Sequence, residues 1–186
     1  MGRPVRGGRR LTRVWLHRAV LDGRIQELRR FTGAGYDKGR PVSWQIAWLV
    51  VQNLVFRGWW LPMRARPAIL RWFGASVGEG CRIRQDVRVH WPWKLSMGDG
   101  CWLGEGAWIL NLEPVTLGSA VCISQEALIC TGSHDASSPT FDFDNAPITI
   151  GQGAWVCARA IVLRGATVAA GEVVPAGTVR RGSEPG

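Results

Sequence analysis

PITIGQGAWVCARAIVLRGATVAAGEVVPAGTV, residues 147–179, decides the fold. Within it an aliphatic residue returns at every sixth position: Ile150, Val156, Val162, Val168 and Val174. Four places after each stand Ala154, Ala160, Ala166, Glu172 and Thr178, small in every case but Glu172. The same step, followed back toward the amino terminus, recovers Val77, Ile83 and Val89, then Met97, Leu103 and Ile109, then Leu117, Ile123 and Ile129. The fourth-following place is again small at Cys81, Val87, Cys101, Ala107, Val121, Ala127 and Ser133, though not at Trp93 or Glu113.

A step of six fits neither the 3.6-residue helix period nor a two-residue alternation with tight hairpins. It fits a short strand plus a turn, three of them closing one triangular coil. The aliphatic residue then points into the prism and the small one fills the crowded corner. Gly78, Gly98, Gly104, Gly118 and Gly151 are expected to supply turn conformations that a Cβ would resist. The expected fold is all-β: a parallel β-helix of hexapeptide repeats.

At one corner the step lengthens. It is eight from Val89 to Met97 and from Ile109 to Leu117, and 21 from Ile129 to Ile150, where ICTGSHDASSPTFDFDNAPITI opens a polar loop over residues 131–149. A β-helical prism has no internal cavity, so a ligand binds on an outer face or between prisms. His134 stands at the start of the loop, and histidine can take a proton from a hydroxyl near neutral pH. Asn111 and Glu113 lie one coil earlier at the same corner, Gln125 on the neighbouring turn, and Asp135 beside His134. These read as a substrate-binding set around a catalytic histidine. The blander reading is that His134 only caps the loop by hydrogen bonding. His90, inside VHWPWKL, either contacts an acceptor or packs among Trp91 and Trp93, and His17 reads as a surface residue. Histidines at 17, 90 and 134 do not form a zinc triad, and no metal is expected.

Charge divides the chain. Residues 1–72 carry fifteen Lys and Arg against three acids, and residues 73–186 eight against eleven. Residues 1–41 read as a basic arm with one amphipathic run, VWLHRAVLDGRIQELRRF, residues 42–73 as a helical segment, 74–181 as the β-helix and 182–186 as a tail. Such a basic segment can meet nucleic acid, acidic headgroups or an anionic substrate. The Arg residues lack the aromatic interleaving of a stacking platform, so no nucleic-acid partner is expected.

Pro41 and Ser43 supply a helix start and Gly58 and Pro62 a stop. The expected buried face is Trp44, Ala47, Trp48, Val51, Leu54 and Val55, with Gln45, Gln52, Asn53 and Arg57 polar. A second helix is expected near Pro67 to Phe73. The first run is shorter than the roughly 20 apolar residues of a membrane span. It either docks on the domain or a neighbouring subunit, or lies in a bilayer surface with Trp59 and Trp60 at the headgroups and Arg57, Arg64, Arg66 and Arg71 meeting anionic lipid. Five cysteines without C-x-x-C spacing, and no signal peptide in view, read as reduced thiols in a cytoplasmic protein, peripheral at most to the inner membrane face. Cys81 and Cys101 occupy equivalent places one coil apart, within disulfide range, and are expected as thiols.

The hexapeptide pattern, with GSHD opening the loop and residues 147–179 after it, resembles the left-handed β-helix acyltransferases. Within them WFGASVGEG, VHWPWKLSMGD, WILNLEPVTLG and ISQEALICTGSHD are similar to the colanic acid biosynthesis acetyltransferases, over about residues 42–181. The left hand of the coil comes from this resemblance, since crossovers are usually right-handed. The resemblance implies a homotrimer with sites between subunits, acetyl-CoA as donor and a saccharide acceptor. His134 falls on the family's base, and Asn111 falls in the acceptor-facing stretch. Ala158 and Ala176 fall where small residues admit the pantetheine arm, Trp155 falls beside that groove, and Arg180 and Arg181 fall near the CoA phosphates. The implied reaction is acetyl transfer to a sugar hydroxyl of a surface polysaccharide or its precursor. Transfer to another small hydroxyl compound, and a non-catalytic scaffold, stay open as alternatives.

Overall fold

A computed structural model describes residues 28–182. His17 and the amphipathic run before Leu28 lie outside the described residues, as do residues 183–186. The described chain forms two compact units, residues 28–36 with 134–144, and residues 37–133 with 145–182.

The larger unit is a β-helix with a helical segment ahead of it. Its first sheet holds β1 (Ser76–Val77), β4 (Leu95–Met97), β7 (Val115–Leu117), β10 (Ile148–Ile150) and β13 (Thr167–Val168). The second holds β2 (Arg82–Ile83), β5 (Trp102–Leu103), β8 (Cys122–Ile123), β11 (Trp155–Val156) and β14 (Val173–Val174). The third holds β3 (Arg88–Val89), β6 (Trp108–Leu110), β9 (Leu128–Cys130), β12 (Ile161–Leu163) and β15 (Val179–Arg180). Every pairing is parallel and joins like positions of successive coils, as in Val77 with Met97, Met97 with Leu117 and Leu117 with Ile150. Three strands make a coil, and the prism has five coils.

The fourteen aliphatic positions expected inside are all buried. Each contributes about 1.5–3 kcal/mol by leaving water, so the stacked rows are the core. The glycines work differently from the expectation. Gly98 and Gly151 have no positive φ. A Cβ there would meet the backbone of the next coil, Ser119 N at 2.6 Å and Ala170 N at 2.5 Å. They are glycines because two backbones touch, and the left-handed turn conformation falls at Gly80, Gly100, Gly153 and their equivalents. Cys81 and Cys101 are free thiols that donate to Gly98 O and Gly118 O.

The helical segment closes the first coil. α1 (Val42–Val51) runs into a π-helical turn at Gln52–Phe56, and α2 (Arg66–Trp72) follows. Pro41, and not Ser43, stands at the helix start. Gln52, four residues after the buried Trp48, lies on the inward face, and the wider π turn that follows leaves Leu54 71% exposed, the reverse of the expected pattern. Inward-turned polar groups then meet the bare edge of each sheet. Trp48 Nε1 donates to Val89 O at 2.9 Å, and Gln52 Oε1 accepts from Val89 N at 2.7 Å. Arg66 Nη1 donates to Ile83 O at 3.2 Å, and Arg71 Nε to Val77 O at 2.7 Å. All three edge strands thus find partners that a terminal coil otherwise lacks. Arg66 is buried, with further bonds to Phe56 O and Gly58 O, and so does not face lipid. Arg57 is held by Asp86 at 2.8 and 2.6 Å.

Candidate active site

The smaller unit is built around His134. Its backbone bridges to Phe143 in antiparallel fashion, and Asp135 N donates to Asp142 O at 2.9 Å, which pins the loop into a narrow hairpin. The imidazole stacks on Phe141, with centroids 4.0 Å apart and planes 10° apart, and more loosely on Phe143 at 4.9 Å. Phe31 closes the edge at 5.2 Å. Nδ1 lies 2.8 Å from Phe141 O. A carbonyl oxygen only accepts, so Nδ1 carries the hydrogen, and the neutral ring presents the Nε2 lone pair as its basic atom. Phe141 sits at φ 58°, an uncommon conformation for a bulky residue, and it presents its carbonyl and its ring to the same imidazole.

Asp135 is exposed. Its Oδ1 accepts from Ser137 N at 2.8 Å and from Ser137 Oγ at 2.6 Å, and these bonds hold the carboxyl below its usual range. Asp142 Oδ2 accepts from Ser138 Oγ at 2.7 Å and from Thr140 Oγ1 at 2.9 Å. The two carboxylates shape the hairpin.

In the larger unit, Asn111 and Glu113 follow β6 at the lengthened corner. Asn111 is fully buried, its Oδ1 accepting from Trp91 N at 2.9 Å and its Nδ2 donating to Trp91 O at 2.7 Å. Its amide therefore acts as an extra rung between coils and has no face toward solvent. Glu113 is half-buried with Lys94 Nζ 3.8 Å away, and its N–H donates to the buried Thr131 Oγ1 at 2.9 Å. The neck of the loop is tied by Ser133 N to Asn145 Oδ1 at 3.0 Å and by Ala146 N to Thr131 O at 3.1 Å. His90 packs on Trp91 at 4.2 Å; burial first, then Lys38 and Lys94, push its pKa down to about 4, so it is neutral at pH 7.

Gln125 does not share that corner. It follows β8, where Gln125, Ala158 and Ala176 occupy one position in three successive coils, linked by Arg159 N to Gln125 O and Gly177 N to Ala158 O, both 3.0 Å. In the two preceding coils this position is Gln85 and Glu105, which bond to each other at 2.6 Å. The row thus changes from long polar side chains to methyl groups. Trp155, 49% exposed, lies beside the row with Nε1 donating to Ser124 Oγ at 2.7 Å. Arg180 ends the prism, reaching Thr167 O at 3.2 Å and Glu172 at 3.5 Å, and Arg181 is exposed. Among the described residues, no group of three or more His, Cys, Asp and Glu could hold a metal ion.

The three sheets carry different outward rows. The first shows only hydroxyls: Ser76, Ser96, Thr116, Thr149 and Thr167. The second shows Trp102, Cys122, Trp155 and Val173 after Arg82, and the third Trp108, Leu128, Ile161 and Val179 after Arg88.

No protein-family model matches the chain. A protein of Escherichia coli K12 named as the colanic acid biosynthesis acetyltransferase WcaF is 36% identical over 156 residues, 82% of this chain and 84% of that one. This chain belongs to the colanic acid biosynthesis acetyltransferase family. Solved structures share its fold. A hexapeptide-repeat acetyltransferase of Vibrio cholerae in complex with acetyl-coenzyme A matches 87% of this chain and 91% of that chain at TM-score 0.69 and 18% identity. A galactoside acetyltransferase in complex with coenzyme A matches 85% and 87% at TM-score 0.61 and 15% identity. The left-handed β-helix with an N-terminal helical segment is thus the fold of this colanic acid biosynthesis acetyltransferase relative.

The aromatic wall of His134 is what sequence reasoning missed. Its signal was Phe141 and Phe143, two aromatics at alternate positions in a loop otherwise made of small and polar residues.

Proposed function

We propose that this acetyl-CoA-dependent acetyltransferase moves the acetyl group to a saccharide hydroxyl of a surface polysaccharide or of its lipid-linked precursor. The observation that carries the reading is the His134 ring, with Nδ1–H held by Phe141 O and Nε2 left as the base. Nε2 takes the proton of the acceptor hydroxyl, and the oxygen attacks the thioester carbonyl. The carbon–sulfur bond breaks, and the CoA thiolate takes the proton back from the imidazolium. Membership of the family supports acetyl transfer in polysaccharide biosynthesis.

The functional assembly in this reading is a homotrimer with its sites between neighbouring prisms. The apolar outward rows of the second and third sheets support it, because such rows bury well against a companion. Trp155, Ala158 and Ala176 line the pantetheine arm, with Gln125 at the head of their row, Arg181 and Arg180 meet the CoA phosphates, and Glu113 and Asp135 bound the acceptor. Asn111 acts as a positioning residue, holding the corner through Trp91. Residues 42–72 make a peripheral contact with a membrane, where a lipid-linked acceptor is found. Among the described residues no helix is long and apolar enough to cross one.

The test is His134→Ala, assayed by thiol release from acetyl-CoA with a saccharide acceptor. The kcat is expected to fall by about 10²–10⁴-fold with the sedimentation coefficient and the unfolding midpoint unchanged. Turnover near the parent rate would refute the base.

A further inference from the structure

The helical segment gathers most of the exposed large apolar side chains of the described chain. Ile46, Val50, Leu54, Trp59, Trp60 and Trp72 are all more than half exposed, Trp59 at 85%. From Lys38 to Gly78 there is no acidic residue. Where α2 meets the first coil, a cavity of about 310 Å³ is lined by Arg64, Pro67, Arg71, Glu79, Cys81 and Arg82.

Three arginines are among the lining residues. Arg71 is fixed in place by Val77 O and Gly78 O, both at 2.7 Å, with Glu79 at 3.7 Å as the one carboxylate of the lining. The Glu79 side chain is 94% exposed, so solvent screens it and the cavity keeps a positive balance. Arg82 leans over the Trp102 ring at 5.5 Å, and Arg64 makes no hydrogen bond or ion pair among the described residues. The Cys81 thiol is turned away toward Gly98 O. Three arginines in one lining suit the oxygens of a phosphate better than a single carboxylate.

We propose that this cavity is a headgroup site for the phosphate of a membrane lipid, seated while Trp59, Trp60 and Trp72 enter the interface beside it. The deduction rests on the peripheral contact proposed above and names its ligand chemistry. Charge supports the occupant: an acid-free, arginine-bearing apolar face complements an anionic bilayer. It also argues against the chain's own amino-terminal stretch as occupant, since residues 1–27 carry seven Arg against two acids.

The experiment is flotation of the full-length protein with phosphatidylcholine vesicles containing phosphatidate or, at matched surface charge, phosphatidylglycerol. Phosphatidate, with its exposed phosphate monoester, is expected to bind about tenfold more tightly. Arg64→Gln with Arg82→Gln removes that preference, and Trp59→Ser with Trp60→Ser weakens both lipids alike. Acetyl transfer to a soluble acceptor stays unchanged in both variants. Equal binding of the two lipids, lost equally in the arginine variant, overturns the cavity and leaves only diffuse attraction. Protection of Arg64 and Arg82 from phenylglyoxal by millimolar inorganic phosphate without vesicles makes the source a soluble anion and overturns the lipid. A drop in oligomer mass in the tryptophan variant means that a second copy covers the face, and also overturns it. No flotation at all removes the membrane contact together with the cavity, while the thiol-release assay still judges the enzyme.

Discussion

The prism and the His134 hairpin pack by opposite rules. In the prism, one kind of residue recurs in rows: Ile83, Leu103, Ile123, Val156 and Val174 stack without a polar atom, and each row repeats the chemistry of the last. In the hairpin nothing repeats. One imidazole lies between Phe141 and Phe143, its tautomer set by one carbonyl, and Ser and Asp side chains do the folding. Rows confer stability because every coil is the template of the next. Phe141 takes φ 58°, a value also found at Asp86, Ala120, Glu126 and Arg159 in the prism turns, and what sets it apart is that its carbonyl and its ring both meet one imidazole.

If this division holds, damage to the prism should appear as lost stability and damage to the hairpin as lost rate. Ile123→Ala empties a fully buried position in the middle coil and is expected to cost about 2–5 kcal/mol, read as a lower urea midpoint, with kcat per folded molecule unchanged. Gln52→Ala strands the Val89 N–H at the capped edge and is expected to cost about 1–3 kcal/mol by the same measure. Phe141→Gly keeps the carbonyl and relieves the φ but removes the ring. About a tenfold fall in kcat is expected, with the midpoint little changed. A large stability loss here would blur the division.

The pH dependence concerns His90, which belongs to the prism although it is a histidine. Its folded pKa, about 4, lies below the ordinary 6.5, so between those values the unfolded chain binds more protons. Stability should therefore be full above about pH 6.5 and decline as pH falls toward 4, and His90→Gln should flatten that slope.

The rows were legible because their information is local: a six-step spacing can be counted without knowing what touches what. The cap was not, because Trp48, Gln52, Arg66 and Arg71 meet carbonyls and an amide of β1–β3 that only the folded chain brings to them. Leu54 was placed on the wrong face because a π turn breaks the helical count. The glycines were legible as necessary but not for their reason, since coil-to-coil contact at Gly98 or Gly151 leaves no trace along the chain. His134 stood out by its place at the break. Asn111 stood out too, yet its amide belongs to Trp91, and polarity in a sequence does not say which way a side chain turns.

The side chains laid across β1, β2 and β3 have a consequence beyond the single chain. A stack of parallel strands with a bare end is a template on which the opposite end of another molecule can grow. Head-to-tail filaments need both ends open, and here one is shut by an indole, an amide and two guanidinium groups. The same residues that complete the first coil leave that end no open edge for strand addition by another prism.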